Sequence, residues 1–294
     1  MTDNNKCTMC PRECRRDRNR EKGLCGADGS IRIARIGLHE WEEPCISYGK
    51  GSGTVFFSGC SLGCVFCQNH EISSGLKGRD ISSDELPELF LKVRDMGAVN
   101  LNLVNPTHYS LDIARALYKV KDRLGIPVVY NTGAYDKVET LRAFSGLVDV
   151  YLPDLKYYSS ELSYKYSGAK NYFEVAFSAI EEMFRQTGYP VFDSEGHMKR
   201  GVLIRHLVLP SMYRDSVTVL EKLAEKYDVS KLYVSIMRQY FPTHRAVEFP
   251  EISRKLTTLE YRKVLDCAER LGIVNGFTQE KSSAKEEYVP NFDF

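Results

Sequence analysis

From residue 53 to about residue 271 the chain repeats one pattern six times. A short apolar run rich in β-branched or aromatic residues comes first. A loop follows, then a segment with the 3.6-residue periodicity of an amphipathic helix. The apolar runs 53–59, 99–104, 127–131, 148–152, 201–209 and 231–237 predict strands. The segments 82–97, 110–125, 136–146, 171–187, 213–227 and 258–271 predict helices. Ser82 or Ser83 is placed to cap the first helix, and Gly97 and Gly125 to stop the first two. Strict strand–helix alternation with short connections dictates a parallel sheet with helices outside it. Six units rather than eight predict an α/β fold of the partial (β/α)6, TIM-like barrel type. Ligands of such sheets gather at the C-terminal ends of the strands, in the βα loops.

The flanks read differently. Residues 1–52 hold four clustered cysteines, many arginines and little periodicity, and are expected to form a small N-terminal cysteine-rich module fixed by metal. Residues 53–275 form the barrel, and 276–294 a polar C-terminal tail. The formal net charge is +1, so bulk electrostatics gives no reason to invoke nucleic acid or membrane. No apolar run approaches the ~20 residues of a membrane span, and the polar start lacks a signal-peptide core. A cytoplasmic protein without membrane contact is expected. Nine cysteines in a reducing compartment point to metal ligands or redox groups rather than disulfides. Seven fall into two clusters. Cys45 and Cys267 stand apart, and Cys267, on a helix, reads as a small buried apolar residue.

The loop after the first strand, "SGCSLGCVFCQN" (58–69), carries Cys60, Cys64 and Cys67 between glycines. Soft thiolates suit iron–sulfur clusters, zinc and copper(I). Three of them on a cubane leave one iron open to a small molecule, as the vacant position of a catalytic zinc does. Gly59 and Gly63 allow the backbone to wrap a bulky cofactor, and Phe66 is placed to pack beside the cluster or its ligand. A zinc knuckle completed by His70 is the competing reading of the same spacing.

C-x3-C-x2-C with an aromatic before the last cysteine, after the first strand of a six-fold βα pattern, resembles the radical S-adenosylmethionine (radical SAM) superfamily. "CTMCPREC", "GCSLGCVFCQNHEIS", "YNTGAYD", "DVYLPDLKYY", "RGVLIRHLVLP" and "IMRQYFP" resemble its pyruvate formate-lyase activating-enzyme-related branch, from residue 7 to about 271. The resemblance implies a 4Fe–4S cluster on Cys60, Cys64 and Cys67, with SAM chelating the open iron. It also implies reductive cleavage of SAM to methionine and a 5′-deoxyadenosyl radical that abstracts hydrogen. A protein or peptide substrate and a flavodoxin- or ferredoxin-type electron donor follow from the same branch. A small-metabolite substrate is the alternative, and an iron–sulfur or zinc scaffold binding nucleic acid is the non-enzyme alternative.

The same resemblance assigns SAM contacts at strand ends. Asn105 and Thr107 of "NPTH", with His108 beside them, stand where the superfamily holds the SAM amino group; a plain Asn-Pro turn is the other reading. Asn131 and Thr132 lie at the mouth after strand three, where Asn131 could instead cap a helix. "PDLK" resembles the Asp-x-Lys of activating enzymes, which sets Asp154 on an amino group or ribose hydroxyl and Lys156 on the carboxylate; a surface ion pair is the bland reading. Arg205 and His206 interrupt an apolar strand, so at least one points into the barrel. Arg205 is taken as a SAM contact and His206 as a hydrogen-bonded core residue. Gln239 follows strand six. The tyrosines bracketing the Asp-Leu-Lys motif read as packing at the rim.

Cys7, Cys10, Cys14 and Cys25, spaced C-x2-C-x3-C-x10-C, can close a zinc site or hold a second cluster. The basic run 15–22 is interleaved with acids and reads as a solvated face. A docking surface for an acidic electron donor or protein substrate is the sharper alternative.

Overall fold

The computed structural model describes residues 6–284, 290 and 292. Its elements run β1 (Ile31–His39), α1 (Pro44–Ser47), β2 (Ser52–Phe57), α2 (His70–Ser73), β3 (Arg79–Ile81), α3 (Glu85–Asp95), β4 (Leu101–Val104), α4 (Ser110–Leu124), β5 (Val128–Thr132), α5 (Val138–Arg142) and β6 (Val150–Pro153). They continue with α6 (Ser160–Ser167), α7 (Tyr172–Thr187), β7 (Val191–Phe192), β8 (Met198–Leu207), α8 (Tyr213–Lys226), β9 (Tyr233–Met237), α9 (Thr258–Arg270) and β10 (Asn275–Thr278).

The six expected strands are β2, β4, β5, β6, β8 and β9, parallel and adjacent in that order. The six expected helices correspond to α3, α4, α5, α7, α8 and α9. The sheet runs β10-β9-β8-β6-β5-β4-β2-β1-β3, with β7 paired to β8, so β3 and β10 stand at opposite edges and the barrel is unclosed. This is the partial-barrel α/β fold the alternation predicts.

Two boundaries differ from expectation. β1 lies inside the stretch expected to be a metal-fixed module, yet it pairs antiparallel with β2 from Ile33↔Phe57 to His39↔Ser52. β10 straddles the expected start of the tail and pairs parallel with β9. Residues 31–52 and 275–278 are therefore continuous with the sheet. Among the described residues, no helix is long and apolar enough to cross a membrane.

Side-chain alternation along the strands separates two cores. Outward residues such as Val55, Leu103, Tyr130, Val202 and Ile236 pack under the helices. Inward residues Val129, Val150, Leu152 and Leu203 pack on Cys45 and Ile46 of α1. The short helix α1 thus plugs the N-terminal end of the barrel. Two residues further along β5, β6 and β8, the same inward face carries Asn131, Asp154 and Arg205. A polar layer therefore sits directly above the apolar floor.

Candidate active site

The loop between β2 and α2 is pinned on several sides. Cys60 N donates to Cys25 O at 3.0 Å, Val65 N to Tyr166 O at 2.9 Å and Gly63 N to Ser167 O at 3.3 Å; Arg245 N donates to Val65 O at 2.8 Å. Gly59 has φ +92°, and a Cβ there would lie 2.6 Å from Cys25 O, so this position requires glycine. Gly63 meets nothing within 4 Å and carries no such requirement. The pinned loop directs Cys60, Cys64 and Cys67 into one cavity of about 260 Å³ at the C-terminal ends of the strands.

Each of the three sulfurs has a hydrogen-bond donor. Leu62 N reaches Cys60 Sγ at 3.4 Å, Ser167 Oγ reaches Cys64 Sγ at 2.9 Å, and Ser73 Oγ reaches Cys67 Sγ at 3.3 Å. Burial pushes the Cys60 and Cys67 thiols up, Cys67 to about 11, while Lys156 opposes the shift at both. Donors on every sulfur and a nearby ammonium favour thiolates once a metal is bound, and such donors also tune a cluster's potential. All nine cysteines are free thiols. Among the described residues, no group of three or more His, Cys, Asp or Glu side chains is set to hold a single metal ion. His70, the candidate fourth ligand of a zinc knuckle, does not line this cavity and stacks on His244, ring centroids 4.9 Å apart.

Most of the other expected residues share this cavity. Phe66, Asn105, Asn131, Asp154, Lys156, Arg205 and Gln239 all line it, as does Thr132. Phe66 also packs edge-on against Tyr157 and Tyr240. Asn105 sits in a left-handed turn (φ +58°), donates to Gly59 O and lies 3.6 Å from Cys60 Sγ, which ties β4 to the cysteine loop. Gln239 accepts from Gln68 through its backbone and from Gln279 through its side chain. Thr107 is a correction. It does not line the cavity but is buried against Thr132 and Asp136 beneath the helices. His206 is the core residue expected, its Nδ1 2.6 Å from Leu155 O, and burial pushes it down to about 4. His108 is likewise buried, with Nε2 2.7 Å from Ser58 O. Tyr151 and Tyr157 are fully buried packing residues. Cys267 is buried as expected.

The polar layer is an ion network. Asp154 accepts from Lys156 Nζ at 2.7 Å and from Arg205 Nε at 2.7 Å. Burial alone would raise its carboxyl, but the two cations hold it below the usual range. Arg205 also donates to Asn131 Oδ1 at 2.6 Å. The sequence reading missed two members. Glu42 accepts from Asn102 at 3.1 Å, Asn131 at 3.2 Å and Arg205 at 3.3 Å, and Glu43 lies 3.8 Å from Arg205. The only signal in the sequence was a pair of acids just before Pro44.

A family model described as the radical SAM superfamily matches residues 54–223, more than half of the chain. This chain belongs to the radical SAM superfamily. An uncharacterised protein of Methanocaldococcus jannaschii, MJ0674, is 32% identical over 278 residues, covering 91% of this chain and 75% of that protein. Among solved structures, Streptococcus suis SuiB bound to S-adenosylmethionine aligns with TM-score 0.51 at 15% identity, over 75% of this chain and 48% of SuiB. The chain thus spans about half the length of SuiB. A mutant form of spore photoproduct lyase aligns with TM-score 0.50 at 11% identity, over 76% of this chain and 74% of that one. These likenesses concern the fold. Membership in the radical SAM superfamily implies a 4Fe–4S cluster and SAM, and the three donor-matched sulfurs in one cavity fit the cluster.

The N-terminal quartet lies beside this site. Gly23 packs with its Cα hydrogens toward the Cys25 and Cys14 sulfurs, and Cys10 and Cys25 are buried. Burial pushes Cys10 up to about 11. A zinc or a second cluster on these four thiols gains no support. One member of the basic run helps to dock the segment, Arg18 donating to His108 O at 2.6 Å; Arg12, just before the run, donates to Ser61 O at 2.7 Å and Ser167 O at 3.0 Å.

Proposed function

We propose that this radical SAM enzyme activates a protein or peptide partner, in the manner of the glycyl-radical activase branch. The carrying observation is a cavity that joins three donor-matched cysteines to the Asp154–Lys156–Arg205 network. When bound, the cluster and SAM together supply one-electron cleavage of the sulfonium, giving methionine and a 5′-deoxyadenosyl radical. Cys60, Cys64 and Cys67 would hold the cluster, and Lys156 is placed to pair with the SAM carboxylate. Asp154, fixed between two cations, stays ionised and can accept from an amino or ribose hydroxyl group. Phe66 and the β2–α2 loop wall off water. The likeness to the activase branch in "YNTGAYD" and "DVYLPDLKYY" supports a macromolecular substrate. So does the structural likeness to SuiB, which is also described bound to its precursor peptide SuiA. A flavodoxin- or ferredoxin-type donor and a cytoplasmic location belong to the same reading.

Anaerobic protein with dithionite and SAM is expected to release 5′-deoxyadenosine, and Cys64→Ala to lose at least a hundredfold of that rate with its far-UV circular dichroism intact. Normal turnover by the variant would overturn the cluster assignment. Electron paramagnetic resonance of the reaction with the co-purifying partner is expected to show a glycyl doublet. Hydrogen transfer into a small molecule instead would refute activation. Metal analysis gives about four irons per chain for the tripod alone; further iron, or zinc, would assign the N-terminal quartet as a second site.

A further inference from the structure

The three sulfurs of the cysteine loop are not served alike. Leu62 N and Ser73 Oγ reach Cys60 and Cys67 at 3.4 and 3.3 Å, and both residues line the cavity. Cys64 takes its hydrogen bond from Ser167 at 2.9 Å. Ser167 is fully buried and does not line the cavity, so this bond is made on the protein side of the wall. A second hydroxyl stands behind it. Tyr157 Oη is 2.9 Å from Ser167 Oγ, and Tyr157 is buried too.

Counting hydrogens fixes the direction of both bonds. A cysteine sulfur bound to iron carries no proton, so the hydrogen between it and Ser167 is the serine's. A hydroxyl has one hydrogen and two lone pairs. Ser167 Oγ therefore accepts from Tyr157, and the tyrosine donates. Burial holds the Tyr157 phenol well above its ordinary pKa, so that hydrogen stays in place. Ser167 is the last residue of α6, which Gly168 ends in a left-handed turn. Helical hydroxyls commonly bond the carbonyl four residues back. In this chain Thr187, Ser216 and Thr218 bond Met183 O, Met212 O and Arg214 O. Ser167 turns to Cys64 instead. Its carbonyl is clamped by Arg12 at 3.0 Å and Gly63 N at 3.3 Å. Tyr157 is held edge-on by Tyr172 and Phe66, ring centroids 5.5 and 6.4 Å away. An apolar pair of the same shape would fill this space without desolvating two hydroxyls. A dry environment strengthens a hydrogen bond, and a donor that itself accepts one is strengthened further.

We propose that Tyr157 and Ser167 form a relay that is the main hydrogen-bond control on the cluster's reduction potential, acting through Cys64. Both are positioning residues. The proposal rests on the cluster assignment given above and is independent of the substrate. Hydrogen bonds to cluster sulfurs set potential. A donor stabilises the more negative, reduced form and so raises it. That eases loading of the electron and tempers the driving force for opening the sulfonium. Tyr157 directly follows Lys156, so the relay starts at the loop placed to hold the SAM carboxylate.

The test is a redox titration of anaerobically loaded protein without SAM, followed by electron paramagnetic resonance of the reduced cluster. Iron content and visible absorbance are read first. Ser167→Ala is expected to keep about four irons per chain. At a fixed potential it should lower the ratio of reduced to oxidised cluster about tenfold, which is 59 mV for one electron. Tyr157→Phe keeps the ring and removes only the hydroxyl, and should lower the ratio about twofold, the share a relay adds. Ser73→Ala, whose hydroxyl faces the cavity, should shift it less than Ser167→Ala. An unchanged or raised potential in Ser167→Ala with full iron overturns the proposal, as does an equal shift in Ser73→Ala. If Ser167→Ala fails to fold or to take iron, Tyr157→Phe decides by the same titration. An unchanged potential in Tyr157→Phe overturns the relay. A parent protein that holds no iron–sulfur cluster overturns the cluster assignment itself, and the relay with it.

Discussion

Glu43 and Asp154 occupy the same buried layer, yet burial and neighbours act on them with opposite net sign. Burial raises the Glu43 carboxyl, Glu42 and Asp154 raise it further by repulsion, and Arg205 opposes them; the Cys45 thiol also faces it. An acid whose folded pKa lies above its ordinary value binds more protons in the folded chain than in the unfolded one. Stability therefore falls as pH rises through the folded value. Asp154 is held below its ordinary value, so its contribution is complete above the usual aspartate range and is lost as pH falls through the folded value. Glu43→Gln removes the unfavourable ionisation and keeps the side chain's shape. In protein without SAM, the variant is expected to melt a few degrees above the parent at pH 8, where about 2–4 °C corresponds to 1 kcal/mol for a chain of this size. The gap should close as pH approaches the ordinary glutamate value of about 4.3. Circular dichroism melts across pH 5–8 measure it, and a variant that melts lower throughout would show the carboxylate to be fully paired.

At the scale of elements, the cysteine loop is held less by its own sequence than by neighbours that clamp it. Arg12 bridges the N-terminal segment, the loop at Ser61 O and the end of α6 at Ser167 O and Gly168 O. The last carbonyls of a helix lack intrahelical partners, and a guanidinium satisfies several at once. Arg12→Ala is expected to cost about 1.5–3 kcal/mol, the range for a hydrogen bond with a charged partner. It should also speed loss of the cluster's visible absorbance under chelator several-fold; an unchanged rate would show that the clamp does not support the loop. The six barrel strands and their helices were legible in sequence because each pairs a short apolar run with a 3.6-residue period. β1 was not, because its register shifts between Ile33 and Arg35, which breaks the alternation that would reveal it. α6, "SELSYKYS", lacks an apolar stripe, and β10, "NGFT", carries a single large apolar side chain rather than an apolar run. The cysteines and Asp154, Lys156 and Arg205 were legible because thiol spacing and charges at strand ends stand out. Thr107 was misplaced because the turn beginning at Asn105 carries it off the cavity. Glu42 and Glu43 were invisible because only the insertion of α1 into the barrel turns a polar loop into its interior.

For the whole molecule, the question is whether metal or packing holds the chain together. A chain of about 300 residues buries roughly three quarters of its unfolded surface, enough for a self-sufficient core. Here the helix-facing core runs from Cys25 to Ile273, and a second core around Ile46 fills the barrel floor. Both are made mainly of aliphatic and aromatic side chains. The N-terminal segment differs, since backbone bonds such as Cys60 N to Cys25 O and the Arg12 and Arg18 contacts attach it to the barrel. Removing the cluster leaves the three sulfurs of the loop without the group that unites them, and the loop is what the segment docks against. Cluster-free protein is therefore expected to keep its far-UV circular dichroism and a cooperative melt, while trypsin cuts within residues 15–22, rich in arginine and lysine, several-fold faster than in the loaded form. Cleavage at equal rates would mean that the segment docks independently of the cluster. Collapse of the dichroism on cluster removal would mean that the thiolate-bound metal, and not the two cores, carries the fold.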